Sequence, residues 1–351
     1  MAINLATKYS DKIAKKFQAE TYLHGKLNGN YSFDGVKTVT IYTPITTALT
    51  DYTRSGIARF GTPTDVADEI QTLTLSKDRS FAKIIDKANN SEQLKIKKAG
   101  EIMNLQIKEQ AGPEMDKHGF KTFSLNAGLV ALNTAPTKPT IVTVMADALT
   151  AMDNAFVPED GRFIYLPATY YNMTRLSTEV LAVDPMAVKT LGKGVIAEFM
   201  GAMIVKVPDS YFPTNVWFLV VHKDCAFLPV KLETLRILTE TAGIDGSLLE
   251  YHGMYDAYVV GAKASGVYVH CATALRVGAT TITPTGASHA ITNATGSAVI
   301  YYTLDGSDPR YSATRIVYAS AVTLTNGQTI KAVGTKADMV NGAVAEATYT
   351  S

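Results

Sequence analysis

The chain opens on a weak four-residue rhythm. Leu5, Tyr9, Ile13 and Phe17 recur at helical spacing with Lys8, Lys12, Lys15 and Lys16 off the stripe, which predicts a short amphipathic helix. The pattern then changes: Val36, Val39, Ile41 and Ile45 among many threonines read as strand. Asp51 to Gly56 is polar and rich in turn formers. Residues 70–86 return to strand, with Ile70, Thr72 and Thr74 alternating with Gln71, Leu73 and Leu75 ahead of the apolar run Phe81 to Ile85. Strand, polar excursion and strand together predict a long two-stranded loop. Its faces carry Arg54, Arg59, Asp65, Asp68, Glu69, Lys77, Asp78 and Arg79, too much charge to bury within one domain, so the loop is expected to lie on something else.

Residues 91–111 hold the clearest helical stripe: Ile96, Ala99, Met103 and Ile107, with Lys95, Lys97, Lys98, Glu101, Lys108 and Glu109 mostly off it. Asn89 is the expected cap, Glu92 its capping-box partner, and Gly112-Pro113 the expected stop. A second helix is predicted at about 140–154, with Pro139 in its first turn and Met145, Leu149 and Met152 on its inner face. Strands follow at 162–167, 202–207, 216–221 and 255–260, with a shorter helix at 169–177. The class is α+β and not a regular βαβ alternation.

Near residue 278 the composition shifts to Thr, Ala, Gly and Ser. Short strands alternate with Pro284-Thr-Gly286, Thr295-Gly296, Asp305-Gly306, Asn326-Gly327 and Asn341-Gly342, the rhythm of a small β-sandwich. The expected boundary lies between Tyr268 and Thr283.

The 351 residues suffice for two domains, and 46% hydrophobic against 19% charged residues marks a globular chain. Lys plus Arg number 33 and Asp plus Glu 32, a net charge of +1, which argues against a dedicated nucleic-acid binder. Cys225 and Cys271 both sit in apolar runs and read as buried reduced thiols of a cytoplasmically made protein. The N-terminus has no apolar core of signal-peptide length, and the longest apolar run, Val216 to Val221, is far too short to span a membrane.

Candidate chemistry is sparse. There is no Gly-x-Ser-x-Gly elbow and no phosphate-binding loop, and Gly192-Lys-Gly194 lacks the rest of a dinucleotide fingerprint. His222 and Cys225 with His270 and Cys271 have zinc-ligating side chains without zinc-site spacing, and satisfied core residues are the expected reading. Asp305-Gly-Ser-Asp308 reads as a turn, because the alternating ligands of a calcium loop are missing. Asn293-Ala-Thr295 fits a glycosylation sequon but lacks a secretion signal to give it meaning. No catalytic residue, cofactor or metal is assigned.

The order of these elements resembles the Hong Kong 97-like major capsid protein of tailed bacteriophages. Three stretches carry the resemblance: Gly161-Arg-Phe-Ile-Tyr-Leu-Pro167 after a helix, Leu228-Pro-Val-Lys-Leu-Glu-Thr234 leading into Gly243-Ile-Asp-Gly-Ser247, and Tyr255-Asp-Ala-Tyr through His270. The resemblance implies a shell part at 1–277: an N-arm at 1–35, an extended loop at 36–88, a spine helix and peripheral domain at 89–137, an axial domain at 138–250, and a return to the peripheral domain at 251–277. Separately, Tyr301 to Pro309, Gly327 to Val333 and Ala347 to Thr350 resemble the immunoglobulin-like domain at the ends of chitobiase-type enzymes, which implies a surface domain at 278–351.

The capsid resemblance implies a non-enzymatic coat protein that builds an icosahedral head from hexamers and pentamers around double-stranded DNA, made in the bacterial host cytoplasm and ending in the virion. Its partners would be further copies of itself, portal and scaffolding proteins, packaged DNA through non-specific contact, and a surface ligand or decoration protein at the C-terminal domain, with no membrane. Arg54, Arg59, Asp65, Asp68, Glu69, Lys77 and Arg79 on the loop, and Tyr9 and Phe17 on the arm, are the expected inter-subunit contacts, with ion pairs across the boundary. Residues 185–200 and 241–250 are expected nearest the symmetry axes, and the C-terminal domain is expected to be dispensable for assembly. An encapsulin-type compartment shares the fold and would enclose an enzyme instead of DNA. A carbohydrate-binding surface protein is a second alternative, and a hydrolase is third.

Overall fold

A computed structural model describes residues 21–23, 25–27, 29, 33, 37–46, 49–57, 59–61, 65–66, 68–92, 98–177, 198–239 and 243–350. Tyr9, Phe17 and the predicted N-terminal helix lie outside the described residues, as do residues 185–197 of the expected axis-proximal segment.

The first strands are β1 (Thr38–Pro44), β2 (Asp68–Thr74) and β3 (Lys77–Asp86). β1 and β2 pair antiparallel from Thr38↔Thr74 to Pro44↔Asp68, so the predicted two-stranded loop exists. The expected strand at 70–86 is divided. Leu75 is buried and Ser76 turns the chain, after which β3 leaves the hairpin for another sheet.

α1 (Lys87–Glu92), α2 (Ala99–Gln106), a π-helical turn (Ile107–Ala111) and α3 (Gly112–Leu125) follow. Two expectations change here. Asn89 lies inside α1 and not ahead of it, and Lys98 is extended (φ −89°, ψ 125°), so the next helix begins at Ala99. Gly112-Pro113 does not end the helix, which runs on to Leu125. Proline is tolerated because it occupies the first turn of α3. The wider π turn just before it frees the ring from a normally placed carbonyl four residues back.

The central sheet uses β4 (Leu129–Leu132), α4 (Ile141–Asn154), β5 (Arg162–Pro167), α5 (Ala168–Arg175), β6 (Glu198–Phe199), β7 (Ala202–Val207) and β8 (Val216–His222). After β9 (Ala226–Phe227), β10 (Val230–Leu238), β11 (Gly246–Tyr255) and β12 (Tyr258–Val259), the chain re-enters the sheet as β13 (Val267–Cys271). The order is β4-β13-β8-β5-β7-β6, with β4/β13 and β5/β7 parallel. Both faces are covered. Phe163, Tyr165, Leu219, Val221, Val267 and Val269 pack with Phe120 and Phe123 of α3, while Ile164, Leu166, Phe218 and Val220 pack with Ile141, Met145, Leu149 and Met152 of α4. Hence β5 and β8 read as nearly unbroken apolar runs and not as alternating ones. Arg162 is buried among them, donating to the Pro158 and Val157 carbonyls at the end of α4 and pairing with Asp153 at 2.6 Å.

β11 pairs antiparallel with β10 on one edge and β3 on the other, in the order β10-β11-β3. The strands at 230–238 and 246–255 therefore belong to a second sheet, separate from the six-stranded one. Phe81, Ile85 and Leu249 of this second sheet pack on Ala99, Ile102, Met103 and Ile107, which confirms the helical stripe wherever the structure describes it.

Seven strands complete the chain: β14 (Thr280–Thr285), β15 (Ser288–Asn293), β16 (Val299–Thr303), β17 (Ile316–Val317), β18 (Val322–Thr323), β19 (Thr329–Thr335) and β20 (Ala345–Thr348). They form a sandwich of β14-β15-β18 against β17-β16-β19-β20 around Ile291, Leu324, Ile330 and Ala332. Gly286 takes φ +57° in the turn joining β14 to β15, a conformation suited to glycine. The sandwich is joined to the body. Val340 is fully buried in the same core as Phe120 and Tyr165, and its amide donates to the Leu275 carbonyl at 2.9 Å.

The N-terminal segment is also anchored. Asp116 on α3 is buried and accepts the Tyr22 amide at 2.7 Å and the Leu23 amide at 3.4 Å, while Leu23 fills the space beside Gly119. Replacing Asp116 with Ala leaves these buried donors without that acceptor. It should destabilise the subunit by about 1–3 kcal/mol, seen as a lower melting temperature and faster exchange of the Tyr22 and Leu23 amides. Unchanged protection at both amides would show that the carboxylate does not anchor the segment.

Candidate functional site

The feature that the body's own packing leaves unexplained is the far end of the β1–β2 hairpin. Leu49 (101% exposed), Ile57 (106%), Phe60 (88%) and Val66 (75%) project into solvent, and Tyr42, Ile45 and Tyr52 are also exposed. A cluster of exposed apolar side chains on one projection marks a protein-contact surface in a folded subunit. The tip has order of its own: Tyr52 and Phe60 pack edge to face at 5.0 Å, Thr53 donates to the Arg59 carbonyl at 3.1 Å, and Arg59 Nε donates to the Gly56 carbonyl at 3.2 Å.

The predicted charged contacts separate into two groups. Arg54, Arg59, Asp65 and Asp68 are exposed on the projecting part. Glu69, Lys77 and Arg79 belong to the base. Glu69 Oε1 accepts the Asp308 amide at 3.1 Å, Lys77 lies opposite Tyr255 in the β3–β11 ladder, and Arg79 pairs with Glu114 at 2.8 Å. Partners inside the chain thus occupy Glu69 and Arg79.

The base of the hairpin is held in two ways. Val39, Ile41 and Leu73, with Leu75, pack against Phe33, Phe227, Tyr258 and Val260. Gln71 adds a polar clasp: Nε2 donates to the Val259 carbonyl and Oε1 accepts the Gly261 amide, both at 2.9 Å. Just beyond β2, a buried carboxylate joins three parts of the chain. Asp256 Oδ2 accepts the Ser76 amide at 2.8 Å and the Tyr258 hydroxyl at 3.2 Å; Oδ1 meets His118 Nε2 at 2.7 Å and accepts the Ala257 amide at 2.8 Å. Burial by itself would raise this carboxyl. Hydrogen bonds from His118, Ser76 and Ala257 outweigh it and hold the pKa down at about 2.

Sequence reading passed over Gln71, Asp116 and Asp256 as functional residues. The available signal was an acid within an otherwise apolar run, Tyr255-Asp-Ala-Tyr-Val-Val260, because a carboxylate is buried only where donors converge on it.

The zinc-like residues are kept apart by strand register. His222 faces Arg162 at one end of β8 and Cys271 faces Val216 at the other, about 20 Å along the strand. Burial pushes the Cys225 thiol up to about 12 and the Cys271 thiol up to about 11, and it lowers the pKa of His222 and His270. Among the described residues no three His, Cys, Asp or Glu side chains converge on a metal position. Asp305 forms a local turn, accepting the Ser307 amide and hydroxyl and the Thr314 hydroxyl. The amide nitrogen of Asn293, in the sequon-like triplet, donates to the Gly278 carbonyl and to Thr280 Oγ1.

Comparison with solved structures identifies the fold. The structure of Mycobacterium phage Che8 is 19% identical with a TM-score of 0.60, over 77% of this chain and 98% of that one. The capsid structure of Cyanophage P-SCSP1u is 13% identical with a TM-score of 0.64, over 77% and 93%. The asymmetric unit of the bacteriophage PhiM1 mature capsid is 10% identical with a TM-score of 0.61, over 77% and 92%. The chain therefore has the α+β fold of phage capsid structures. Its C-terminal sandwich carries a match to the Fn3-associated family over residues 290–349, consistent with an immunoglobulin-like domain. No curated protein matches the chain.

The Asp256 junction sets an acid limit on stability. Its folded pKa of about 2 lies below the ordinary value of 3.8, so its contribution is complete above about pH 4 and fades as pH falls towards 2. The contribution lost is about 2 kcal/mol. Thermal melts between pH 2 and 6 should show a steeper acid loss for the native chain than for Asp256→Asn. Parallel profiles would remove Asp256 from the account of acid unfolding.

Proposed function

We propose that this chain is the major capsid (coat) protein of a tailed bacteriophage, a structural protein without catalytic role that self-assembles into the icosahedral head around double-stranded DNA. The observation that carries this reading is the hairpin tip: on a capsid fold, fully exposed Leu49, Ile57 and Phe60 extend beyond any surface of their own subunit. In this reading the residues before 278 form the shell and residues 278–351 sit on its outer surface. The N-arm spans 1–35, the extended loop 36–88, the spine helix and peripheral part 89–137, the axial part begins at 138, and 251–277 returns to the periphery. The pairing of β11 with both β10 and β3 supports grouping 230–250 with the loop base and spine. Hexamers and pentamers of the chain, portal and scaffolding proteins, and packaged DNA are the proposed partners, and the virion is the proposed destination.

Magnitudes decide which tip contacts matter. Exposed ion pairs of Arg54, Arg59, Asp65 or Asp68 with a neighbour contribute about 0–1 kcal/mol each. Burying one of the apolar tip side chains contributes about 1.5–3 kcal/mol. The apolar tip thus supplies most of the contact energy, and the charges around it set approach and register. Exposed Leu176, Met200 at the β6–β7 turn and Met203 in β7 support a second contact surface nearer the symmetry axes.

Electron microscopy of the purified chain should show closed shells of uniform size, and particles from infected cells should contain double-stranded DNA. An enzyme cargo in place of DNA would move the assignment to an encapsulin-type compartment. The double variant Ile57→Asp/Phe60→Asp should melt like the native subunit, because both positions are solvent-exposed, yet fail to close shells. Normal shells from that variant would remove the tip from assembly.

A further inference from the structure

The C-terminal sandwich does more than ride on the surface. Its loop at 307–315 inserts between the hairpin and the end of the spine helix. The Ala313 amide donates to the Ile70 carbonyl of β2 at 2.7 Å, and the Asp308 amide donates to Glu69 Oε1 at 3.1 Å. The Tyr311 hydroxyl donates to the Asn126 carbonyl at 2.8 Å. A second contact runs alongside: the Asn341 amide donates to the Leu125 carbonyl, Asn341 Nδ2 to Asn126 Oδ1, and Lys121 pairs with Asp338. Tyr311 also lies so close to Gly261 that a side-chain carbon there would sit 2.8 Å from the tyrosine Cβ.

The loop is stiff before it meets the body. Asp305 ties Ser307 to Thr314, the Asp308 carboxylate grips the Arg310 guanidinium through both oxygens, and Arg315 stacks on Tyr301 at 4.4 Å while donating to the Arg310 carbonyl. Its partners in the body are those that set the hairpin's direction. β2 is bonded to β1 along one edge, and Ala313 bonds to the backbone of β2 at Ile70. Gly261, against which Tyr311 packs, is also held by Gln71 of β2.

We propose that the C-terminal sandwich is a built-in strut. Through Asp308, Tyr311, Ala313 and Asn341 it locks the base of the β1–β2 hairpin to the end of α3 and fixes the angle at which the hairpin leaves the body. A two-stranded ribbon is marginal by itself, so the second support decides how far its base opens. The strut replaces the expectation that the domain is dispensable. It is a property of the single subunit; only its consequence for shells rests on the capsid reading.

Hydrogen exchange on the full-length subunit tests it with two independent variants. Tyr311→Phe/Asn341→Ala removes side-chain bonds and leaves the backbone intact, while Gly261→Val wedges the interface from the body side. In both, the amides of residues 38–43 and 68–74 should exchange on the order of tenfold faster. Amides of β5, β8 and β19 should remain as in the native chain, which shows that body and sandwich are folded. Unchanged hairpin exchange in either folded variant overturns the strut. Uniform loss of protection across all strands in both variants also overturns it, because the contact would then serve overall folding and not the hairpin. Absence of shells from the native chain would count against the capsid reading alone.

Discussion

A long two-stranded hairpin that projects from a body needs a fixed base, and here that base depends on one buried carboxylate. Asp256 must satisfy its charge away from water. It does so by gathering the amide of Ser76 where β2 ends, His118 from the middle of α3, and the hydroxyl of Tyr258. An unpaired carboxylate at that position would cost several kcal/mol, so the three segments are required to meet there. Gln71 extends the arrangement by bonding the backbone at Val259 and Gly261, and Ile41 and Leu73 close the apolar side.

Around that junction the rest of the subunit supplies rigidity. The six-stranded sheet is covered on both faces, by α3 on one side and by α4 and α5 on the other, which accounts for its largely apolar inner strands. The π turn lets the helix pass through Gly112-Pro113 and present Asp116 to the N-terminal segment, Phe120 and Phe123 to the sheet core, and the Asn126 carbonyl at its end to Tyr311.

The distribution of polar and apolar side chains on the hairpin suits reversible association. Charges at its base are consumed within the subunit, as the Arg79–Glu114 pair shows, while the apolar groups are concentrated at the tip. A surface built from a few apolar anchors with a polar surround binds modestly per copy and releases misplaced neighbours. In a closed symmetric arrangement the same contact repeats until no edge is left.

Much of this was written locally. The threonine-rich strand pair, the Met103–Ile107 stripe, the α4 face of Met145, Leu149 and Met152, and the turn rhythm after residue 278 follow from side-chain period and turn chemistry, which act over a few residues. The assignment of charges was not legible, because Glu69 and Arg79 look the same in sequence as Arg54 and Asp65. Which of them find a partner within the chain depends on surfaces that arrive from elsewhere. Ser76 and Asp256 are 180 residues apart, and Glu69 and Asp308 are 239 apart. A hydrogen bond needs its partners within about 3 Å, and no local pattern encodes which distant groups come that close. Only the folded chain, by packing β11, α3 and the C-terminal loop onto the hairpin base, selected them.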